Sequence, residues 1–311
     1  MQYGIPYMGS KNSIAEDVVN AIPPGGKILD ACCGGGAVLM ALAMSMKFDA
    51  VVGNDVNPSV VKLLDAVLIN KGQIEYEHPQ PCSRNDFLIS LQKIQNGDFD
   101  IQDCVNKFCC SFGNNGKGYI YGVDVENYKL TAEQMLTAGN LKTRREFYRK
   151  FVDICKTGER INELEHLERM QRLENLERLE RLERLERLER LERLERLERL
   201  DCKSLFDIDY SEFDVVYFDI PYKGTSEYDF KFDYERFYDL FSSLKIPAFL
   251  SEYDAPFDCV AEFKKPQQFA ASVGSTKSTT KEKLYFNGSK ERYKQLMGRF
   301  YKEKEVQLSL F

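Results

Sequence analysis

The sequence predicts an α/β fold of the Rossmann-like kind, with an inserted, mostly helical region. Two observations predict the sheet and one the insert. The stretch Lys27-Ile28-Leu29-Asp30-Ala31-Cys32 reads as a strand, runs into Gly34-Gly35-Gly36, and is followed by a helical run over residues 37–46. Apolar Val215-Val216-Tyr217-Phe218 reads as a second kind of buried strand and stops at Asp219-Ile220-Pro221-Tyr222. Between these halves lie more than a hundred residues, among them a Leu-Glu-Arg triplet repeat.

Taken in order, Tyr7-Met8-Gly9-Ser10-Lys11 precedes a predicted helix over 14–21. Lys11 is placed to pair with a carboxylate, and Tyr7 to cover a flat ring. The strand, glycine loop and helix of residues 27–46 form a unit that lets backbone amides approach a nucleotide-like ligand. The spacing is Asp-x-x-x-Gly-x-Gly, which differs from the Gly-x-Gly-x-x-Gly of dinucleotide binders. A further strand, Ala50-Val51-Val52-Gly53-Asn54, ends at Asp55, about 20 residues after the glycines, the separation expected of an acid that grips ribose hydroxyls. By itself the glycine turn is equally a tight turn; Asp55 at the next strand end favours a nucleoside cofactor. Asn85-Asp86-Phe87 offers Asp86 to an adenine amine, beside the plainer reading of a solvated turn acid.

An acid, a proline and an aromatic at a strand end can hold an exocyclic amine and stack a flat ring. Alone, that tetrapeptide reads as a turn; its meaning comes from the glycine loop and acids upstream. As an ordered set, Tyr-x-Gly-Ser-Lys, the Asp30–Gly36 loop, Asn54-Asp55-Val56-Asn57 and the late Asp-Ile-Pro-Tyr resemble the Dam-like class of DNA adenine-N6 methyltransferases. Residues 247–253 resemble that family's later core strand. Ser272-Val273-Gly274-Ser275 and Lys283-Leu284-Tyr285-Phe286-Asn287 resemble its last loop and strand. The likeness covers residues 1 to about 90 and 205 to about 290.

The resemblance implies a class I methyltransferase sheet and S-adenosylmethionine as cofactor, contacted by Tyr7, Lys11, Asp30, Cys32, Gly34, Gly36, Asp55, Asp86 and Asp219. It implies that Asp219 and the Ile220 carbonyl accept hydrogen bonds from the amino group of a flipped adenine, with Tyr222 stacking on the ring. Ile220 stands where the family often has proline; Pro221 still biases Ile220 towards an extended backbone. Cys32 stands where an aromatic is frequent, and the resemblance implies a role for its backbone.

The resemblance divides the chain into a discontinuous catalytic core (1–90 and 205–290), a target-recognition insert (91–204) and a tail (291–311). Within the insert, the glycine-rich, aromatic and polar segment 110–122 offers Asn114, Asn115, Lys117, Tyr119 and Tyr121 to DNA. Residues 129–156 read as one helix, whose basic cluster contains Arg144 and Arg145. From 164 to 200 the triplets predict one long helix, because proline and glycine are absent, Leu, Glu and Arg are strong helix formers and nearly every Glu meets an Arg four residues on. A leucine period of 3 winds the apolar stripe by about 60° per triplet, which excludes a heptad seam. Its plain reading is a spacer of adjustable length; the sharper one is that it orients the recognition region.

Composition narrows the classes. The chain has 311 residues and a net charge of −6, so support for nucleic acid rests on local basic clusters. Nine cysteines without Cys-x-x-Cys, and only two histidines, His78 and His166, argue against a disulfide framework or a metal site. The absence of a leader-like or membrane-length apolar run predicts a soluble, intracellular protein, and the resemblance implies the cytoplasm of a bacterial or phage-infected cell. The terminal Gln307-Leu308-Ser309-Leu310-Phe311 resembles the peptide by which bacterial replication proteins bind the sliding clamp, against the plain reading of a tail docked on its own fold. Alternatives to a DNA adenine methyltransferase are an RNA adenine methyltransferase and a cofactor-binding DNA-recognition protein without turnover. The sequence names neither the recognised DNA word nor a restriction partner.

Overall fold

The structure, a computed structural model, describes residues 3–69, 81–138, 140–158, 193–223, 232–265 and 280–298. Its strands are β1 (Gly25–Asp30), β2 (Phe48–Asn54), β3 (Leu197–Asp201), β4 (Val215–Phe218), β5 (Ala248–Glu252), β6 (Asp258–Lys265) and β7 (Thr280–Phe286). They form one sheet in the order β3-β2-β1-β4-β5-β7-β6. Strands β3, β2, β1, β4 and β5 are mutually parallel, and β7 runs antiparallel to both β5 and β6. The chain crosses from β1 to β2 through α2 (Ala37–Met44), after an opening helix α1 (Ala15–Ala21). Parallel strands require such crossovers, and the carboxyl ends of adjacent strands then share one edge, where ligands bind in open α/β sheets. Asp30, Asp55, Asp219 and Glu252 stand at or just beyond the ends of β1, β2, β4 and β5.

Burial on both faces explains the apolar runs. Residues Val215 to Phe218 are all buried, and Phe218 packs edge-on against Phe237 (5.2 Å) and Phe241 (5.9 Å) of α8 (Tyr234–Ser243). On the other side of β2, Gly53 faces Leu200 and Leu39; a β-carbon there would lie 2.5 Å and 2.9 Å from their methyl groups.

The described chain divides into two compact units. The first takes in the described residues within Met1–Ile5, Gly9–Asp65 and Leu194–Phe311, the second those within Pro6–Met8 and Ala66–Arg193. Strand β3 pairs with β2, so the chain from Leu194 onwards clusters with the sheet. Helices of the second unit include α4 (Arg84–Asn96), α5 (Ile101–Cys109), α6 (Val123–Thr137) and α7 (Leu141–Gly158). They follow α3 (Pro58–Leu64) of the first unit.

Two helix expectations are corrected. The single helix over 129–156 is two helices: Ala138 turns extended (φ −60°, ψ 119°), and the Asn140 side chain accepts the Thr143 amide at 2.9 Å to start the next. The Leu-Glu-Arg helix does not reach residue 200. Residues Arg193–Arg196 form a 3₁₀ turn and Leu197–Asp201 is edge strand β3; residues 159–192, the rest of the repeat, lie outside the described ones. Tertiary pairing overrides propensity here. The repeat's charges find partners beside the sheet: Glu198 with Lys27 (2.8 Å), Arg199 with Glu212 (2.9 Å) and Asp201 (3.2 Å), and Arg196 with the Phe48 carbonyl (3.2 Å). Residues 272–275 and 307–311 also lie outside the described ones. Among the described residues no helix is long and apolar enough to cross a membrane.

Candidate active site

Two loops at the strand ends lock together through backbone amides. After β1 the chain turns at Gly34 (φ +47°) and Gly36 (φ +76°), and α2 starts from the latter. A side chain at Gly36 would be strained in this left-handed conformation, and its β-carbon would press on Leu64 at 3.0 Å. The Cys33 amide donates to the Asn54 carbonyl (2.8 Å) and the Gly36 amide to the Cys33 carbonyl (2.7 Å). Asp55, 9 % exposed, accepts the Gly34 amide on Oδ2 and the Asn57 amide on Oδ1, both at 2.9 Å. Burial raises the pKa of Asp55, opposed in part by these two amides. The acid predicted to grip a ribose therefore also ties the glycine loop to the end of β2. A carboxylate has further lone pairs for a ligand.

Asp30 is fully buried at the end of β1, and neither of its carboxylate oxygens has a hydrogen-bond partner. Burial pushes its pKa well above the usual range, reinforced by the charges of Asp219 and Asp55. The Cys32 thiol is pushed up by burial and then by Asp55, Asp30 and Asp219. An unsatisfied buried acid costs free energy unless a cation or donor joins it.

On the same sheet edge, Lys11 is 4 % exposed and its Nζ lies 2.7 Å from Asp219 Oδ1 and 3.3 Å from Glu282 Oε1. Burial alone would lower the Lys11 pKa, but Asp219 and Glu282 together outweigh it and hold the ammonium charged. The same Nζ stands over the Tyr222 ring, 4.6 Å from its centroid. Tyr222 donates its hydroxyl to Glu282 Oε1 at 2.6 Å and meets Tyr253 edge-on at 4.6 Å. Ile220 is buried, and the Pro221 carbonyl accepts the Tyr234 hydroxyl at 3.0 Å. Glu252 accepts the Tyr253 amide (2.8 Å) and the Lys223 amide (3.3 Å), fixing the chain just past Tyr222; burial raises its pKa to about 7.

The first unit thus brings together Lys11, Asp30, Cys32, Gly34, Gly36, Asp55 and Asp219 to Tyr222. Tyr7 and Asp86 belong to the second unit. The Tyr7 ring lies 5.9 Å from that of Phe108. Asp86 is the third residue of α4, and its carboxylate closes a capping box with the Ser83 amide (3.1 Å) and hydroxyl (2.5 Å). The solvated-acid reading describes its surroundings; it caps a helix.

In the predicted DNA-facing segment, Asn114 (φ +58°) and Lys117 are exposed. Asn115 holds the loop, accepting the Lys117 and Gly118 amides at 2.8 and 3.1 Å. Tyr119 stands apart from these exposed groups. It is 7 % exposed, packs on Phe87, and donates its hydroxyl to the Cys82 carbonyl at 2.6 Å. Tyr121 packs edge-on against it and is half-buried. On α7 Arg145 is exposed and Arg144 half-buried.

A family model describing D12 class N6 adenine-specific DNA methyltransferases matches residues 7–294. The chain belongs to this family. The methyltransferase is therefore an enzyme acting on adenine in DNA. No curated protein matches the chain. Among the described residues of the methyltransferase no His, Cys, Asp or Glu group could hold a metal ion.

Two of its site residues, Glu282 and Glu252, escape a reading by motif. For Glu282 a signal exists: in Lys281-Glu282-Lys283-Leu284 the strand alternation puts Glu282 in phase with buried Leu284 and Phe286. A charge in the inward phase of a strand marks a buried partner.

Proposed function

We propose that the methyltransferase binds S-adenosylmethionine at the ends of β1 and β2 and presents a flipped adenine to Asp219-Ile220-Pro221-Tyr222. The observation that carries this reading is the Asp219 carboxylate, held at the end of β4 by a buried ammonium on the edge that the glycine loop occupies. The residues fit the cofactor. S-adenosylmethionine carries a sulfonium and an ammonium; the Asp30 carboxyl, buried without a partner and held towards its neutral form by burial, would ionise against such a cation beside Asp55 and Asp219. When bound, the cofactor supplies an activated methyl group on sulfur.

The protein's own part is positioning and electrostatics. Asp219 and the Ile220 carbonyl accept hydrogen bonds from the adenine amino group, which is unreachable inside the duplex stack. That draws nitrogen lone-pair density out of the ring and aims it. Tyr222, held at its hydroxyl, offers a ring face to the extruded base. Asn114, Lys117 and Arg145 are exposed groups suited to DNA edges and phosphates. The test is single-turnover methylation of a cognate duplex by the wild type and by Asp219→Ala. A loss of about 10²-fold or more is expected, with DNA affinity largely kept; a variant that methylates at the wild-type rate contradicts the reading.

A further inference from the structure

Glu282 belongs to none of the motifs that carry the site, yet it touches two of the site's working groups. It lies on β7, separated from β4 by β5 in the sheet, and is completely buried. A buried carboxylate is tolerated only when paired and hydrogen-bonded. Its Oε1 accepts the Tyr222 hydroxyl at 2.6 Å, a short charge-assisted bond, and lies 3.3 Å from Lys11 Nζ. Lys11 in turn holds Asp219 at 2.7 Å and stands over the Tyr222 ring.

We infer that Glu282 is a positioning residue of the methyl-transfer reaction, which fixes the plane of Tyr222 and shares the charge of Lys11 so that Asp219 stays an effective acceptor. This rests on the reading of Asp219 and Tyr222 given above. The physical argument has two parts. A tyrosine ring tied only at its α-carbon can swing about its side-chain torsions, whereas Tyr222 is also held at its far end by Glu282 and along its edge by Tyr253. Positioning errors of this kind cost rate steeply. An ammonium with a single carboxylate partner would also concentrate its attraction there and weaken that carboxylate towards any further donor. With two carboxylates about one ammonium, Asp219 keeps more of its negative charge for the incoming amine.

The test is a double-mutant cycle in full-length protein, with single-turnover methylation rates read beside DNA and cofactor affinities. Glu282→Gln keeps the volume and can still accept the tyrosine hydroxyl, but loses the charge. Tyr222→Phe keeps the ring and deletes the hydroxyl. Each is expected to slow methyl transfer by about 10-fold or more, with affinities changed by less than about threefold, and the double variant to be little slower than the worse single one. A purely structural role would lower stability without this rate-specific, non-additive signature. Wild-type rates in both variants, or losses that simply multiply, would overturn the inference. If Glu282→Gln does not fold, Tyr222→Phe decides alone, since its ring is partly exposed: an undiminished rate refutes the role. Where Asp219→Ala abolishes transfer yet these variants behave as wild type, only this inference fails. If Asp219→Ala itself is active, the underlying assignment falls.

Discussion

Lys11 is nearly inaccessible to solvent and still charged, because two carboxylates surround its ammonium. That pairing is legible in outline in Tyr-x-Gly-Ser-Lys, where a lysine sits just ahead of a helix. Which carboxylate it meets was not, since Asp219 lies 208 residues away and Glu282 further still. Asp86 shows the opposite case. Its sequence context allowed both an adenine contact and a plain polar role, and the capping box with Ser83 gives its carboxylate a local structural task. Asp86→Ala is therefore expected to cost about 0.5–1 kcal/mol in a denaturant melt while methylation proceeds at the wild-type rate. A lost activity with unchanged stability would return Asp86 to the cofactor or the base.

At the scale of elements, β1, β2 and β4 were readable because each is an apolar run closed by a polar turn. Aromatic residues in a glycine-rich segment suit both a groove and a small core, and the Tyr119 ring closes the core of Cys82 and Phe87. The Leu-Glu-Arg triplets misled through propensity. Helix propensity is a local quantity, and β3 exists because the open edge of β2 offers pairing partners and Gly53 leaves room for Leu200. Gly53→Ala is expected to destabilise the protein by about 1–3 kcal/mol, as overpacking does, since Leu200 and Leu39 must both give way. Equilibrium unfolding in urea checks this; an unchanged midpoint would mean the strand–strand contact is looser than described.

Across the whole molecule, the catalytic edge is crowded with acids, and folding pushes several of them towards the protonated form. Glu252 goes from an ordinary value near 4.5 to about 7, chiefly by burial. The native state therefore holds a proton that the unfolded chain has already released. The stabilisation is complete below about pH 4.5 and is lost as pH rises through about 7. Asp30, raised by burial and by Asp219 and Asp55, acts in the same sense. Asp103, whose backbone and Ser90 hydrogen bonds and Lys93 partner outweigh its burial and lower its pKa, acts oppositely and only towards acid. Between pH 5 and about 7.5 the urea midpoint is expected to fall, and Glu252→Gln to flatten that fall. A midpoint that climbs steadily across this window, equally in both proteins, would contradict the burial of Glu252.

The order of motifs along the chain makes the α/β sheet and the methyltransferase family legible, while the burial state of each acid needs the fold. The central claim is that Asp219 holds the amino group of an adenine in DNA. It is tested most directly by long-read sequencing of plasmid from methylation-deficient cells expressing the wild type or Asp219→Ala. The account predicts modified adenines in one short word with the wild type and none with the variant. Unmodified plasmid from cells making soluble wild-type protein, or the same modified word from both, would contradict it.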